Sequence, residues 1–117
     1  MDATIVIDTT DYRSRRVVLY QTTVDAKAKS HLDRSGNITY EEVKECVGDP
    51  DLVCVTAKVD DHPDRLVYYR MGDLSGGAPP YRRVVVDYSS SPAFIVSWHR
   101  ARSVGGYSDI EFGPRKR

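Results

Sequence analysis

The sequence predicts an α+β domain in which two N-terminal helices pack on an antiparallel sheet of four or more strands. Two short segments before residue 50 carry apolar residues at helical spacing. After residue 50 the pattern changes to β-branched and aromatic runs separated by turn residues. Short connections between consecutive runs favour antiparallel pairing. Together these observations favour an order of helices followed by sheet.

Two short strand-like segments precede the first helix. Thr4–Ile7 and Arg16–Tyr20 are rich in β-branched residues. The polar segment Asp8–Asp11 between them is typical of a turn. We expect a hairpin at the N-terminus or an added edge of the sheet.

The first helix is expected to begin near Thr22 or Thr23, since either hydroxyl can cap a helix N-terminus. A four-residue spacing then places three apolar side chains on one stripe. These are Val24, Ala28 and Leu32. Gly36 favours the end of the helix, because glycine readily adopts the left-handed conformation found there.

The second helix carries the clearest local signal. Thr39 and Glu42 have the spacing of a capping box, in which each side chain bonds the other residue's backbone amide. Ile38 and Val43 are placed to pack together around this cap. The segment Gly48–Pro50 predicts the helix end, since proline cannot continue the hydrogen-bond ladder.

Four strands follow, with a short fifth at the C-terminus. The expected strands are Leu52–Ala57, Leu66–Met71, Tyr81–Tyr88, Ala93–Arg100 and a segment around Ser108–Phe112. Because side chains alternate along a strand, each strand has two distinct faces. The face expected to pack on the helices carries Val84, Val86, Tyr88, Phe94, Val96 and Trp98. The open face is expected to carry Arg83, Val85, Asp87, Ile95, Ser97 and His99.

Length and composition suit one cytoplasmic domain spanning 1–117. Within it we expect an N-terminal extension over 1–15, a core over 16–103 and a C-terminal tail over 104–117. No apolar run approaches the roughly 18–20 residues that cross a bilayer, and the N-terminus does not resemble a secretory signal. Cys46 and Cys54 are expected to be buried, reduced thiols.

Charge is distributed unevenly between the two halves of the chain. Residues 1–64 contain 8 Lys/Arg and 13 Asp/Glu, whereas residues 65–117 contain 9 and 4. The second half is therefore a candidate anion-binding surface. The alternative is that the two halves neutralise each other across the fold.

The open face of the last strands has the groups that phosphodiester cleavage needs. Arg83 can bind phosphate, Ser97 can orient it and His99 can move a proton near neutral pH. Arg70 can join them if the strand register allows, and Tyr69 can stack on bases. RNA supplies its own 2′-hydroxyl nucleophile, so no metal or other cofactor is expected, and no ligand spacing for zinc is present.

Three segments also resemble a known pattern. They are Lys29–Leu32, Gly36–Val43 and Gly48–Val53, followed by the strand motifs Tyr68–Arg70, Tyr81–Val86 and Phe94–Trp98. Their order resembles the barnase–EndoU–colicin–RelE-like group of ribonucleases and toxins. The resemblance covers roughly residues 16–103. It implies a catalytic role for His31 at the end of the first helix, together with Arg83 and Ser97.

The leading hypothesis is a metal-independent, toxin-like endoribonuclease that acts on RNA and is held in check by an antitoxin or immunity-type protein. Its catalytic residues would be His31, Ser97 and His99, and its substrate-binding residues Tyr69, Arg70 and Arg83. The alternative is a non-catalytic protein-interaction module, such as an inhibitor, immunity or regulatory protein. A small-ligand pocket under the loop at 72–80 is a weaker third hypothesis.

Overall fold

A computed structural model describes residues 4–29, 38–56, 62–72, 80–104 and 107–113. Within these residues a single seven-stranded sheet is formed, with strand order β1-β2-β6-β5-β4-β3-β7. The strands are β1 (Ile5–Thr10), β2 (Arg16–Tyr20), β3 (Leu52–Thr56), β4 (Arg65–Met71), β5 (Tyr81–Asp87), β6 (Ala93–Ala101) and β7 (Tyr107–Phe112). The helices are α1 (Gln21–Lys29) and α2 (Tyr40–Gly48).

The predicted fold class, two helices on an antiparallel RelE/barnase-like sheet, is wrong. The described part of the chain is dominated by a mixed sheet with two short helices. The N-terminal strands do form the predicted hairpin and added edge, since β1 pairs with β2 and β2 pairs in parallel with β6 through Val17 and Ala93. The terminal strand β7 pairs with β3 rather than with β6, its predecessor in sequence. The β2–β6 and β3–β7 pairings join segments far apart in the chain, which local periodicity does not encode.

One face of the sheet, which we call the helix face, packs against both helices. α1 lies on β2 and β6, and α2 lies on β1, β4 and β5. Val43, Cys46 and Val47 of α2 are fully buried in the main core on this face. The predicted cap is confirmed: Thr39 accepts from the Glu42 amide at 3.1 Å, and Glu42 accepts from the Thr39 amide at 3.0 Å.

A bulge in β6 changes which side chains face the helices. Ser97 pairs with Val85, but the next pair along β5 joins Val86 to Ile95, so Val96 is the extra residue. The predicted faces of Phe94, Ile95 and Val96 are therefore wrong. Ile95 is fully buried in the main core, whereas Phe94 and Val96 are only partly buried. Beyond the bulge the prediction holds, and Trp98 packs in the main core.

The opposite face of the sheet carries a second, smaller apolar cluster. Its buried members are Leu52, Cys54, Val67, Tyr69 and Val85. Val104, which follows β6 on the way to β7, packs on this cluster. The chain leaving β6 therefore covers part of a face that the sequence predicts to be open.

The turn between β1 and β2 reaches the far edge of the sheet. Tyr12 packs on Phe112 of β7 with ring centroids 4.9 Å apart. Arg13 forms an ion pair with Glu111 at 3.4 Å. Since β1 and β7 are the two edge strands, these contacts show that the sheet is strongly curved around the helix-face core.

The prediction for the cysteines is confirmed. Cys46 and Cys54 are both buried and neither forms a disulfide. Among the described residues, no helix is long and apolar enough to cross a membrane.

Candidate functional site

A shallow depression of about 190 Å³ lies on the opposite face, over strands β4, β5 and β6. We call it the β4–β6 depression. Its floor is apolar, and its polar groups are two guanidinium groups, an imidazole and a hydroxyl. The lining residues are His62, Arg65, Val67, Arg83, Val85, Val96 and Ser97. Cationic and hydroxyl groups around an apolar floor suit an organic anion.

Arg83 is held in place by a buried tyrosine. Its Nε donates to the Tyr69 hydroxyl at 3.2 Å, and Tyr69 is 3% exposed. Among the described residues no carboxylate forms an ion pair with Arg83. Because Nε is anchored, the two terminal nitrogens of the guanidinium are the edge that can donate two parallel hydrogen bonds to an anion.

Arg65 is anchored in the same way, but by a carboxylate. Its Nε donates to Asp87 at 3.1 Å, and Asp87 also accepts from the Ser89 amide at 2.8 Å. Burial acts to raise the pKa of Asp87, but hydrogen bonds from Ser89 and Arg65 outweigh it and hold the pKa below its usual range. Asp87 therefore stays ionised and fixes Arg65, while reducing the net positive charge at that end of the depression.

His62 and Ser97 complete the polar lining. His62 lies in the turn before β4, where its carbonyl accepts from the Arg65 amide at 3.2 Å. Ser97 is fixed by the β5–β6 ladder opposite Val85. A histidine can transfer a proton near neutral pH, and a serine hydroxyl can hydrogen-bond an anionic oxygen.

Three of the predicted site residues are brought together. Arg83 and Ser97 line the β4–β6 depression, and His99 pairs directly with Arg83 across β5 and β6. His99 alternates with the core residue Trp98, so it lies on the opposite face with Arg83. The strand parity that predicts this grouping holds because all three positions are outside the bulge.

Two predicted ligand-binding residues do not join this group. Arg70 lies on the helix face, where it forms ion pairs with Asp49 at 2.9 Å and Glu45 at 3.7 Å. It is separated from Arg83 by the thickness of the sheet. Tyr69 does lie beside Arg83, but its ring is buried edge-on against Tyr81 and presents no open surface for stacking. Its observed contact is the hydroxyl that orients Arg83.

His31 lies outside the described residues, so its placement in one site with Ser97 and His99 stays a prediction. The loop at 72–80 that suggested a small-ligand pocket is also mostly outside them. Sequence reasoning did not assign a role to Arg65 or His62. The alternation of side chains along β4 could have indicated Arg65, because Arg65 shares its strand face with Val67 and Tyr69, whereas Arg70 does not.

The thiols are poor candidates for a reactive group. Burial raises the pKa of Cys54 to about 11, and burial raises that of Cys46 further. At neutral pH both are therefore protonated, and the nucleophilic form is the thiolate. Within the described ranges no three histidine, cysteine or acidic side chains gather as a metal site would need.

The fold and the depression define a mixed-sheet domain with a small cationic site on its opposite face. Comparison with protein-family models found no match. Comparison with curated proteins found none, and no solved structure matches. The functional argument therefore depends on the geometry of the site itself.

Proposed function

We propose that this protein binds single-stranded RNA through the β4–β6 depression. The observation that supports this most directly is the state of Arg83. Its Nε is anchored on Tyr69, its terminal nitrogens have no carboxylate partner among the described residues, and it lines the depression. Phosphate, like carboxylate, is an anion that arginine can bind with two parallel hydrogen bonds.

The remaining lining residues fit a nucleic acid better than a bare inorganic anion. The valine floor supplies apolar contact for a ribose or a base, and Ser97 supplies a hydrogen bond to phosphate or sugar. Specific RNA recognition generally uses unstacked single strands, whose bases and sugars can reach such a surface. The positive charge of the second half is not all available to a ligand, because Arg70, Arg82 and Arg100 form ion pairs with carboxylates of the first half.

The test measures fluorescence anisotropy of a 5′-labelled single-stranded RNA in EDTA. Arg83→Gln removes a charged hydrogen-bond donor, and such bonds contribute about 1.5–3 kcal/mol, so we expect affinity to fall about tenfold or more. Lys44→Gln is the control, because it removes the same charge from α2 on the other side of the sheet, where Lys44 contacts Glu41. Equal affinity of Arg83→Gln and wild type would contradict the proposal.

RNA cleavage at the same depression is a second candidate, favoured by the presence of His62 in the lining that also includes Arg83 and Ser97. A toxin-like ribonuclease would use a histidine to accept the 2′-hydroxyl proton and a second one to protonate the leaving oxygen. His99 and the predicted His31 are the other candidates for these two steps. No metal enters this chemistry, so the reaction is expected to proceed in EDTA.

The cleavage test compares wild type with His62→Ala and with the double variant His31→Ala, His99→Ala on the same RNA. If wild type cleaves no faster than the double variant and His62→Ala, the ribonuclease hypothesis is excluded. RNA binding without cleavage would favour a non-catalytic role. Absence of both would favour the protein-interaction module, with an antitoxin or immunity-type protein as the partner to seek.

A further inference from the structure

The two arginines of the β4–β6 depression lie at opposite ends of its valine floor. Arg65 pairs with Asp87, Val67 with Val85, and Tyr69 with Arg83 along the β4–β5 ladder. Arg65 and Arg83 are therefore separated along the strands by four residues, which is about 13 Å between their backbones. Both residues nevertheless line one depression, so their side chains border the same small volume.

Each guanidinium is anchored through Nε alone in the contacts found among the described residues. Arg65 uses Nε to bond Asp87, and Arg83 uses Nε to bond Tyr69. This leaves two separate forks of terminal nitrogens, and each fork matches the geometry of one phosphate. An arrangement built for a single phosphate would instead bring both forks together on one point, without the valines between them.

We propose that the β4–β6 depression holds two consecutive phosphates of one RNA strand, one on Arg83 and one on Arg65, with the intervening nucleoside over Val67 and Val85. This inference rests on the proposed function and adds the size and chemistry of the bound unit. The depression, about 190 Å³, is smaller than the roughly 300–1,000 Å³ of drug-sized ligand pockets. A nucleoside bound there would therefore lie partly outside the depression.

The two ends of the depression should differ in their affinity for phosphate. Asp87 neutralises part of the Arg65 charge at 3.1 Å, whereas Arg83 has a neutral hydroxyl as its anchor. The phosphate on Arg83 is thus bound more tightly, and the phosphate on Arg65 adds selectivity for ligands that carry a second anionic group. Substitution of Arg83 should therefore weaken phosphate binding more than substitution of Arg65, an order that an unspecific basic patch does not predict.

The experiment is calorimetric titration with adenosine 3′,5′-bisphosphate, adenosine 5′-monophosphate, adenosine 3′-monophosphate and inorganic phosphate. We expect the bisphosphate to bind at least about tenfold more tightly than either monophosphate, since it can fill both forks. Arg65→Gln is expected to abolish this advantage while leaving monophosphate binding within about twofold. Arg83→Gln is expected to weaken all four ligands.

Arg16→Gln is the matched control, because Arg16 also donates through Nε to an aspartate, Asp8, but does not line the depression. It should leave every affinity unchanged. Arg65→Lys keeps the charge but not the fork, and its circular dichroism and melting curve show whether the Asp87 contact is needed for folding. A folded Arg65→Lys with a reduced bisphosphate advantage supports the proposal even if Arg65→Gln unfolds.

Salt dependence gives a second, independent measurement on RNA. Each phosphate contact on a single strand changes the slope of log K against log salt by about 0.7, so Arg65→Gln and Arg83→Gln should each reduce the slope by that amount. If Arg83→Gln weakens RNA binding but the bisphosphate binds no better than a monophosphate, the two-phosphate inference fails and the proposed function stands. If the bisphosphate shows its advantage but RNA is not bound, the proposed function fails.

Discussion

The hydroxyl of Tyr88 donates a 2.8 Å hydrogen bond to the buried carboxylate of Asp11, which lies 77 residues earlier in the chain. Tyr88 has one proton to donate, so the 2.5 Å contact between Tyr68 and Tyr88 has Tyr68 as the donor. Asp11 also accepts from Arg15 Nε at 2.8 Å. This chain of hydrogen bonds connects the β1–β2 turn to β4 and to the residue that follows β5.

Removal of the Tyr88 hydroxyl should destabilise the fold. Tyr88→Phe leaves the Tyr68 hydroxyl without its acceptor and removes one of the two hydrogen bonds to Asp11 Oδ2, and an unsatisfied buried polar group costs about 1–3 kcal/mol. We expect the free energy of unfolding in urea to fall by about 1–3 kcal/mol. Tyr40→Phe is the control, since Tyr40 is 40% exposed and its variant should change stability by less than about 0.5 kcal/mol.

Acid should reduce the contribution of Asp11 to the stability of the fold. Burial raises the pKa of Asp11, but hydrogen bonds from the Arg15 amide, the Tyr88 hydroxyl and the Arg13 amide outweigh it, so the folded pKa lies below the usual value. As pH falls, the unfolded chain is protonated at Asp11 before the folded chain. The stabilisation is therefore present above about pH 4 and is lost as the pH falls through the folded pKa.

The measurement compares wild type with Asp11→Asn in urea between pH 7 and pH 3. Other carboxyl groups titrate in both proteins, so their contributions cancel in the difference. Wild type should be more stable at pH 7, and the gap between the two proteins should narrow in acid. A gap that widens as pH falls would contradict this assignment.

Because of the bulge in β6, we predict that Ile95 contributes more to stability than Phe94, the opposite of what simple strand alternation predicts. Ile95 is fully buried in the main core, so Ile95→Ala should lower the free energy of unfolding by about 2–5 kcal/mol. Phe94 is only partly buried on the other side, and Phe94→Ala should cost less than Ile95→Ala. Equal losses, or a larger loss for Phe94→Ala, would show that the strand continues without the bulge.

Substitutions at Arg70 and Arg83 should have different effects, the first on stability and the second on ligand binding. Arg70 bonds both the carboxylate and the carbonyl of Asp49 at the end of α2, so Arg70→Gln should lower stability by about 1 kcal/mol and leave RNA affinity unchanged. Arg83→Gln should reduce RNA affinity about tenfold, as the depression requires. A loss of RNA affinity in Arg70→Gln would place ligand binding on the helix face instead.

The capping box gives a test of local structure. Thr39→Ala removes the acceptor for the Glu42 amide and should cost about 1 kcal/mol, whereas Thr39→Ser keeps the hydroxyl and should cost little. Thermal unfolding of the two variants measures the difference. Equal melting temperatures for Thr39→Ala and Thr39→Ser would contradict the cap's contribution.

The features predicted correctly are those set by neighbouring residues. The cap at Thr39 depends on Glu42 three residues away, and the alternation of Val84, Val86 and Tyr88 depends only on the pleat of one strand. The grouping of Arg83, Ser97 and His99 follows from the same parity, since β5 and β6 are consecutive and antiparallel.

The bulge at Val96 could not be predicted in this way, because nothing in the alternation of apolar and polar residues along β6 indicates an extra residue. The ladder with β5 fixes its position, and one extra residue reverses the faces of everything before it. This is why Ile95 and Phe94 exchange their predicted places while Trp98 keeps its own.

The sequence by itself determined the capping box of α2, the strands after residue 50 and the face shared by Arg83, Ser97 and His99, because these depend on spacing within one or two adjacent segments. The turn expected at Asp8–Asp11 was wrong, since β1 continues to Thr10. Only the tertiary structure decided the parallel pairing of β2 with β6, the return of β7 to β3, and the contact between Tyr88 and Asp11. It also separated Arg70 from Arg83 and brought Arg65 and His62 into the depression. Such contacts join distant segments, and the packing of the whole sheet selects them.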